Sequence, residues 1–403
     1  MTLQQIENTF AKSFQPLFFA YIASLIILPT GSLFGVNIKV VLFLLLLVVA
    51  FPRFVKNADN MGQIAALLVL PMFLIIWFSI GVIGGFELSS ILLETRDFLT
   101  AFVSCWLIGV FISTVDGGGL KFLVFVIKCV AFTSVLKVLI LLYSAYSGVA
   151  VSDIIERISE LFGIHLMSID IEGVIGRILW VSDILIPFCI FALCGLRKVL
   201  NISEMKTFIF LNLMVFSSLL TFSRYLWPFT LFAMALGFLI AKWEKFHWFY
   251  VATLASIVVY KFDSLLLVVA TRYSDSLVDF SDKPREYQAI ALNKFFWQAP
   301  LFGHGLGSYA WWEIRGMWEL KYAYENQIKA LAGQMGIVGL AILLTAMLLY
   351  LRKSFVSKRT STGYKIILFS MLVMFIVGGY YNPQLISSTA AVVYGVIRVL
   401  GDL

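Results

Sequence analysis

The chain has 403 residues, of which 61% are hydrophobic and only 13% are charged. A soluble protein of this length cannot keep that much apolar surface away from water, so the composition excludes a soluble globular fold. The net charge of +7 does not indicate nucleic-acid binding, because most Lys and Arg residues lie in short segments between apolar runs. The composition predicts an all-α, polytopic integral membrane protein.

Apolar runs suited to membrane spans recur from one end of the chain to the other. A helix needs about 20 mostly apolar residues to cross a bilayer, and we predict about twelve such spans. They lie at approximately 15–33, 38–55, 63–83, 98–115, 120–142, 178–196, 206–222, 225–241, 248–270, 328–351, 364–381 and 385–400. The segment 219–227 is either a turn between two spans or a break within one. We expect residues 1–403 to form a single transmembrane helical domain with two long loops, 143–177 and 272–327.

The distribution of basic residues predicts the orientation of these spans. Short loops that contain Arg53, Arg197, Lys242 and Arg352 alternate with loops of acidic or mixed charge. Basic residues concentrate on the cytoplasmic side of membrane proteins. We therefore expect both termini in the cytoplasm and both long loops on the outer side.

The first long loop contains an amphipathic helix, by the spacing of its apolar residues. Ile154, Ile155 and Ile158 share one face with Leu161 and Phe162, whereas the opposite face is charged. Such a helix lies on the outer membrane surface or forms a roof over the helix bundle. The alternative is a gate for a lipid substrate.

The second long loop carries most of the polar chemistry of the chain. A helix is predicted from a cap at Ser281 or Asp282 to Gln298, with Pro284 in its first turn. This prediction places Arg285 at a helix start, where the backbone amides favour anions.

Arginines and glycines on the outer side suggest a pocket for an anion. A guanidinium binds phosphate oxygens in a fork and keeps its charge, so converging arginines would suit a lipid diphosphate. The candidates are Arg224, Arg272, Arg285 and Arg315, together with the backbone amides of Gly303, Gly305 and Gly307. A G-x-G-x-G run alone is not a P-loop. The alternative for the arginines is contact with lipid headgroups or pairing with nearby acidic side chains.

Glu325 is a candidate general base, because it lies at the last polar turn before the tenth predicted span. The alternative is an acidic residue that only stabilises a helix N-terminus. His304 is the rival base, as the one titratable group in the glycine run. Three histidines build no His-rich metal site, so neither a metal nor a cofactor is expected. Charged residues within the predicted spans require a charged partner or a polar cavity, and they are Lys128, Lys137, Asp183, Lys261 and Asp263.

Three motifs in order resemble the O-antigen polymerase and ligase superfamily. The first is LTFSRYLW around Arg224, and the second is REYQAIALNKFFWQAPLFGHGLGSY from Arg285 to Tyr309. The third begins with ENQ at Glu325 and enters a span through G-x-x-G-x-x-G-L. The resemblance covers residues 219–340 specifically and the layout of spans generally.

This resemblance implies a glycosyltransferase with the helical architecture of the lipid-carrier (GT-C-like) enzymes. It would work at the periplasmic face of a Gram-negative inner membrane and would transfer a glycan from undecaprenyl diphosphate. The transfer would be inverting and independent of metal ions. The matching motifs place Arg224 and Arg285 on the diphosphate.

The resemblance also bears on the acceptor. Ligases of this superfamily carry a His before the tenth-type span, where this chain has Glu325 followed by Asn326. We therefore expect a polymerase, whose acceptor is another lipid-linked repeat unit, over a ligase, whose acceptor is lipid A–core. The partners would then be the bilayer, a chain-length regulator and a flippase.

Aromatic side chains near these motifs are expected to contact sugars, although an interfacial belt explains the tryptophans equally well. The candidates for sugar contact are Tyr309, Trp312, Tyr324 and Asn326. A transporter, such as a flippase of a lipid-linked glycan, is the alternative from another class. The sequence shows no internal repeat, and its polar chemistry is concentrated on one face, which favours the enzyme.

Overall fold

The computed structural model describes residues 3–28, 32–33, 36–56, 61–162, 167–171, 175–263, 266, 270, 275–314, 320–357 and 360–403. Helices dominate this part of the chain, as the composition predicts. In chain order they are α1 Leu3–Ile27, α2 Ile38–Lys56, α3 Met61–Ile83, α4 Leu88–Thr114, α5 Gly118–Ser147, α6 Val151–Phe162, α7 Ile186–Leu196, α8 Glu204–Leu220, α9 Leu226–Ile240, α10 Lys245–Tyr260, α11 Asp275–Gln298, α12 Gln327–Val356, α13 Thr362–Val377 and α14 Ser388–Asp402. Short 3₁₀ helices occupy Val181–Leu185 and Gly378–Tyr380.

Two small antiparallel hairpins accompany the helices in the described residues. Strands β1 Ser32–Leu33 and β2 Val36–Asn37 pair with each other, and so do β3 Met167–Ile171 and β4 Ile175–Leu179. These strands are not among the elements predicted from the sequence. Their residues lie next to apolar runs, and only the pairing reveals them.

Several helices have the length and apolar composition of membrane spans. Among the described residues, four are long and apolar enough to cross a bilayer: Leu88–Thr114, Gly118–Ser147, Gln327–Arg352 and Thr362–Tyr380. Shorter apolar helices occupy Ser13–Ile27, Ile38–Ala50, Pro71–Ile83, Val181–Leu196 and Leu226–Ile240. These helices indicate a membrane-embedded helical protein. A helix overlaps each of the twelve predicted segments, but the number of crossings stays a prediction.

The chain forms two compact units. The first comprises Met1–Pro52 and Gly109–Val269, and the second comprises Arg53–Ile108 and Ala270–Leu403. Each unit therefore combines an N-terminal segment with a later one, although the sequence analysis expects one helical domain.

The first unit is built around α7, whose residues Ile186–Cys194 are all buried. Helix α9 lies close to α7 because Gly237 has no side chain: a Cβ at this position would be 2.7 Å from the Cβ of Cys194. Helices α8 and α9 are separated by a turn at 221–225, which resolves the ambiguous segment 219–227 into two helices.

A buried ion pair joins two elements of the first unit. Lys137 Nζ on α5 lies 2.6 Å from Asp183 Oδ2 in the 3₁₀ helix, and Asp183 also accepts from the Trp180 backbone N–H at 2.7 Å. The predicted requirement for a charged partner is thereby confirmed for these two residues.

Helix α6 has the amphipathic character that its sequence predicts. Ile154 and Ile155 are buried and pack with Ile140 of α5 and with Ile178 and Trp180. Its charged residues, such as Asp153 and Glu156, are exposed. The apolar face thus packs against protein, as expected for a roof over the helices.

The second unit has its core between α3, α4, α12 and the loop that follows α11. The buried side chains of this core are Phe73, Leu74, Trp77, Ile91, Phe98, Leu306, Leu331 and Met335. The polar segment that the sequence analysis identifies as functional therefore contributes Leu306 directly to a hydrophobic core.

Candidate active site

The loop after α11 is inserted into a break in helix α12. Gly336 has φ 62° and ψ −172°, so the helical hydrogen-bond pattern is interrupted there. The N–H groups of Ile337 and Val338 donate to the carbonyls of Pro300 and Leu301, at 2.9 and 3.1 Å. The helix break is therefore filled by backbone from the loop, which satisfies polar groups that would otherwise be buried without partners.

Backbone N–H groups of the loop also donate hydrogen bonds to carbonyls of α12. His304 N–H donates to the Gly333 carbonyl at 3.0 Å, and Gly305 N–H donates to the Gln334 carbonyl at 2.8 Å. Loop and helix thus exchange hydrogen bonds in both directions. This exchange fixes the position of the G-x-G-x-G run relative to α12.

Two side chains from the N-terminal part of the unit hold the same loop. The indole N–H of Trp77 lies 2.9 Å from the Phe302 carbonyl and 3.1 Å from the Met335 carbonyl. The buried carboxylate of Glu94 accepts a hydrogen bond from the Gly307 N–H. Neither contact is apparent from the sequence, because Trp77 lies in an apolar run and Glu94 has the surroundings of an ordinary outer-side charge.

The glycines of the loop are required by close backbone approach. All three have positive φ: 68° at Gly303, 91° at Gly305 and 72° at Gly307. A Cβ on Gly305 would overlap the backbone of Gly81 on α3, and one on Gly307 would overlap the backbone of Ile91 on α4. Only glycine fits these positions.

The prediction that these glycine amides bind an anion is wrong for this structure. Gly303 N–H donates to the Ala299 carbonyl at 2.9 Å, and the amides of Gly305 and Gly307 donate to Gln334 and Glu94. Each amide is therefore used inside the protein.

Arg285 and Glu325, which the sequence analysis assigns to different roles, form an ion pair. Arg285 Nε lies 2.6 Å from Glu325 Oε2, and the side chains are 27% and 28% exposed. Arg285 lies on α11, and Glu325 lies two residues before the start of α12. The pair is thus a cation and a proton acceptor side by side, still accessible from outside.

Helix α11 differs at its start from the prediction. It begins at Asp275, before the expected cap at Ser281 or Asp282, and Pro284 lies inside it; its end at Gln298 agrees with the prediction. Arg285 is therefore in the helix interior, and the argument from a helix N-terminus does not apply to it. Its environment comes from Glu325.

Gln288, one turn after Arg285, is hydrogen-bonded to the backbone of Glu325. Its side-chain Oε1 accepts from the Glu325 backbone N–H at 3.2 Å, and Gln288 is completely buried. This bond orients the amide group, because an N–H donor requires the oxygen. No role for Gln288 is predicted from the sequence.

His304 is held by a ring stack and a hydrogen bond. Its imidazole stacks on Phe295 with 4.0 Å between ring centroids, and Nε2 lies 2.9 Å from the Phe295 carbonyl. A carbonyl only accepts, so Nε2 carries the proton in this contact. The half-buried ring is therefore fixed in orientation by α11.

The residues expected to contact sugars separate into two groups. Tyr324 is buried, and its hydroxyl accepts from Ala310 N–H at 2.8 Å and donates to the Ala310 carbonyl at 3.2 Å. Burial raises the pKa of this phenol, so it stays protonated. Asn326 is also buried, and its Oδ1 accepts from Lys329 N–H at the start of α12. These contacts give both residues structural roles, and their expected contact with a sugar stays a prediction.

Tyr309 and Trp312 are more accessible. The Tyr309 hydroxyl lies 3.5 Å from Glu87 Oε1, and Lys321 bonds the same oxygen at 2.5 Å. The bond to Glu87 raises the pKa of Lys321. Trp312 is 45% exposed, with the Lys294 ammonium 5.1 Å from its ring centroid. Their proposed contact with sugars stays a prediction.

Within the described part of the second unit, none of the other predicted diphosphate ligands lies beside the Arg285–Glu325 pair. Arg224 is partly buried in the turn between α8 and α9, within the first unit. Arg272 and Arg315 lie outside the described residues. In the described ranges, no group of three or more His, Cys, Asp or Glu residues is arranged to hold a metal ion.

Comparisons with known proteins give no neighbour: no family model matches the chain, and no curated protein or solved structure is significantly similar to it.

Proposed function

We propose that the protein is a glycosyltransferase of the O-antigen polymerase type. It transfers a glycan from undecaprenyl diphosphate to a sugar hydroxyl of another lipid-linked repeat unit. The observation that carries this proposal is the Arg285–Glu325 pair, with 2.6 Å between Nε and Oε2. It joins two of the three motifs on which the resemblance rests.

The proposed setting follows from the apolar helices and the charge of the loops. Twelve spans in a GT-C-like arrangement cross a bacterial inner membrane, with both termini in the cytoplasm. The pair then acts at the periplasmic face, where the lipid-linked donor and acceptor meet. A flippase that supplies the substrate and a regulator of chain length are the proposed partners.

The chemistry of the pair suits an inverting transfer. The acceptor hydroxyl oxygen attacks the anomeric carbon, while the bond from that carbon to the diphosphate oxygen breaks and its electrons leave with the diphosphate. Glu325 accepts the proton of the attacking hydroxyl. Arg285 stabilises the charge that develops on the leaving group. A guanidinium has five N–H donors, so it can contact Glu325 and a phosphate oxygen together.

The geometry of the loop changes which groups are proposed to bind the diphosphate. Because the amides of Gly303, Gly305 and Gly307 donate inside the protein, arginine side chains have to supply the positive charge. Arg285 is the central one, and Arg224, Arg272 and Arg315 stay proposals. Glu325 is preferred over His304 as the base because it lies beside Arg285, whereas His304 donates from Nε2 to the Phe295 carbonyl and can accept a proton only at Nδ1.

A reconstitution assay distinguishes this function from its alternatives. The purified protein is incubated with its lipid-linked repeat unit alone, in detergent and in vesicles. A ladder of longer glycans on the lipid carrier supports a polymerase. Product that forms only after lipid A–core is added indicates a ligase instead. Movement of the lipid across vesicles without a new glycosidic bond indicates a flippase and contradicts the proposal.

A further inference from the structure

A polar cavity of about 280 Å³ lies within the second unit. It is bounded by α4, the segment that leads into α12, α12 itself and the start of α14. Its polar lining includes Glu94, Asp97, Tyr322, Gln327, Gln334 and Ser388. At about 30 Å³ per water molecule, the space corresponds to roughly nine waters.

The lining excludes several kinds of ligand. The described residues around the cavity include two carboxylates but no Lys, Arg or His. Arg96 pairs with Asp97 Oδ1 at 2.9 Å but is not part of this lining, so a diphosphate in the cavity would meet acidic side chains and no cation of the described lining. An acyl chain would remove two carboxylates from water without replacing their hydrogen bonds.

The polar groups are held in place by the surrounding protein. Glu94 accepts from Gly307 N–H, and Gln334 Nε2 donates to the Ser308 carbonyl at 3.1 Å. The Tyr322 hydroxyl donates to Asp97 Oδ2 at 3.2 Å. Burial raises the pKa of Tyr322, so its hydroxyl remains a donor at neutral pH. The cavity thus presents acidic side chains in fixed positions beside side-chain amides and hydroxyls.

Fixed acceptors, mixed donors and an apolar wall match the surface of a sugar ring. Sugar hydroxyls both donate and accept, and a carboxylate can accept from two of them. Phe98, Leu331 and Ile386 supply apolar surface in the same lining. The volume suits one ring, since a longer glycan or a lipid would exceed it.

We propose that this cavity binds a single neutral sugar ring, with Glu94 and Asp97 as its principal hydrogen-bond acceptors. Tyr324 and Gln327 both line the cavity, and Glu325 lies between them in the chain. The assignment of this ring to the acceptor glycan rests on the proposed function, whereas the binding of a sugar in the cavity does not.

The test is ligand-observed saturation-transfer NMR on the full-length protein in detergent. The probes are glucose, galactose, mannose, rhamnose and N-acetylglucosamine, with glucuronate as the acidic counterpart of glucose. Inorganic pyrophosphate and Ca²⁺ are added as competitors. The variants are Asp97→Asn, which removes a charge, and Ser388→Phe, which fills the cavity. Asp402→Asn is the matched control, because Asp402 is exposed and lies in the same unit outside the lining.

At least one neutral sugar should give saturation transfer in the wild type and in Asp402→Asn. Asp97→Asn should weaken that binding roughly tenfold, through the loss of charge-assisted hydrogen bonds. Ser388→Phe should abolish it, and glucuronate and pyrophosphate should neither bind nor compete.

Three results would overturn the proposal. They are no binding of any neutral sugar, binding as strong as that of the wild type in both Asp97→Asn and Ser388→Phe, and displacement of the sugar by Ca²⁺. The last result would identify a cation site. Thermal unfolding of each variant establishes that it is folded. Sugar binding without glycan transfer in the reconstitution assay would refute the proposed function but not the sugar site.

Discussion

Gly336→Ala tests whether the break in α12 is a required part of the fold. The alanine Cβ would overlap the Leu301 carbonyl and lie 2.6 Å from the Gly303 nitrogen. Both neighbours are backbone atoms, which cannot rotate away as a flexible side chain can. The φ of 62° and ψ of −172° also lie in a region that is almost restricted to glycine.

The expected loss of stability follows from these contacts. Backbone strain at such a position costs about 1–3 kcal/mol. If the loop retreats to relieve the overlap, the hydrogen bonds from Ile337 to Pro300 and from Val338 to Leu301 weaken, at about 1 kcal/mol each. We therefore expect a loss of roughly 3–5 kcal/mol for the second unit.

The assay is thermal and chemical unfolding of the purified protein in detergent, followed by tryptophan fluorescence. Gly363→Ala is the matched control, because nothing lies within 4 Å of a Cβ at that position in the first turn of α13. The control should be unchanged, or more stable by up to about 1 kcal/mol. If Gly336→Ala unfolds like Gly363→Ala, the break in α12 is not needed and the account of the loop is refuted.

Four further predictions concern the same unit. Trp77→Phe removes the indole donor to two carbonyls and should cost about 1–3 kcal/mol in the same unfolding assay; wild-type stability would show that the loop does not depend on it. Arg285→Lys should lower transfer about 30- to 1000-fold, because a forked contact is lost although the charge remains; normal turnover at matched expression would remove the diphosphate role. Burial raises the pKa of Tyr322, so its contribution to stability is present below the unfolded-state pKa of about 10 and is lost as the pH rises further. Alkaline unfolding should thus be less steep in Tyr322→Phe, and equal slopes would contradict this reasoning. For topology, a cysteine at the exposed Trp311 should react with an impermeant reagent from the periplasm and one at Ser357 should not; the reverse pattern would invert the orientation.

Much of the helical layout is accessible from sequence, because hydropathy and helix ends are local properties. The predicted segments 38–55, 63–83 and 225–241 agree closely with the helices Ile38–Lys56, Met61–Ile83 and Leu226–Ile240. The alternation of Ile154 and Ile155 with charged residues likewise reveals α6. The predicted start of α11 is wrong, because Pro284 is typical of a first helical turn but lies inside this helix.

The candidate site is only partly accessible from sequence. Arg285 and Glu325 stand out as charged residues in a polar segment, although nothing local indicates that they pair with each other. Glu94 and Gly307 are 213 positions apart, and their hydrogen bond depends on the approach of α4 to the loop. The glycine run shows why the local pattern misled. Glycine permits both anion binding and close backbone approach, and only the acceptors of its amides distinguish the two.

The most direct test of the proposed catalytic centre is the turnover of Glu325→Gln on a defined lipid-linked repeat unit. Glutamine keeps the size of the side chain and an acceptor oxygen for Arg285, but it cannot take a proton. Glu286→Gln is the matched control, since Glu286 is exposed on α11 beside Arg285. We predict that Glu325→Gln folds normally, binds the donor lipid and loses about 10²- to 10⁴-fold in polymer formation, with Glu286→Gln near wild type. Wild-type turnover in Glu325→Gln would contradict the account and leave Glu325 as a residue that only stabilises the start of α12.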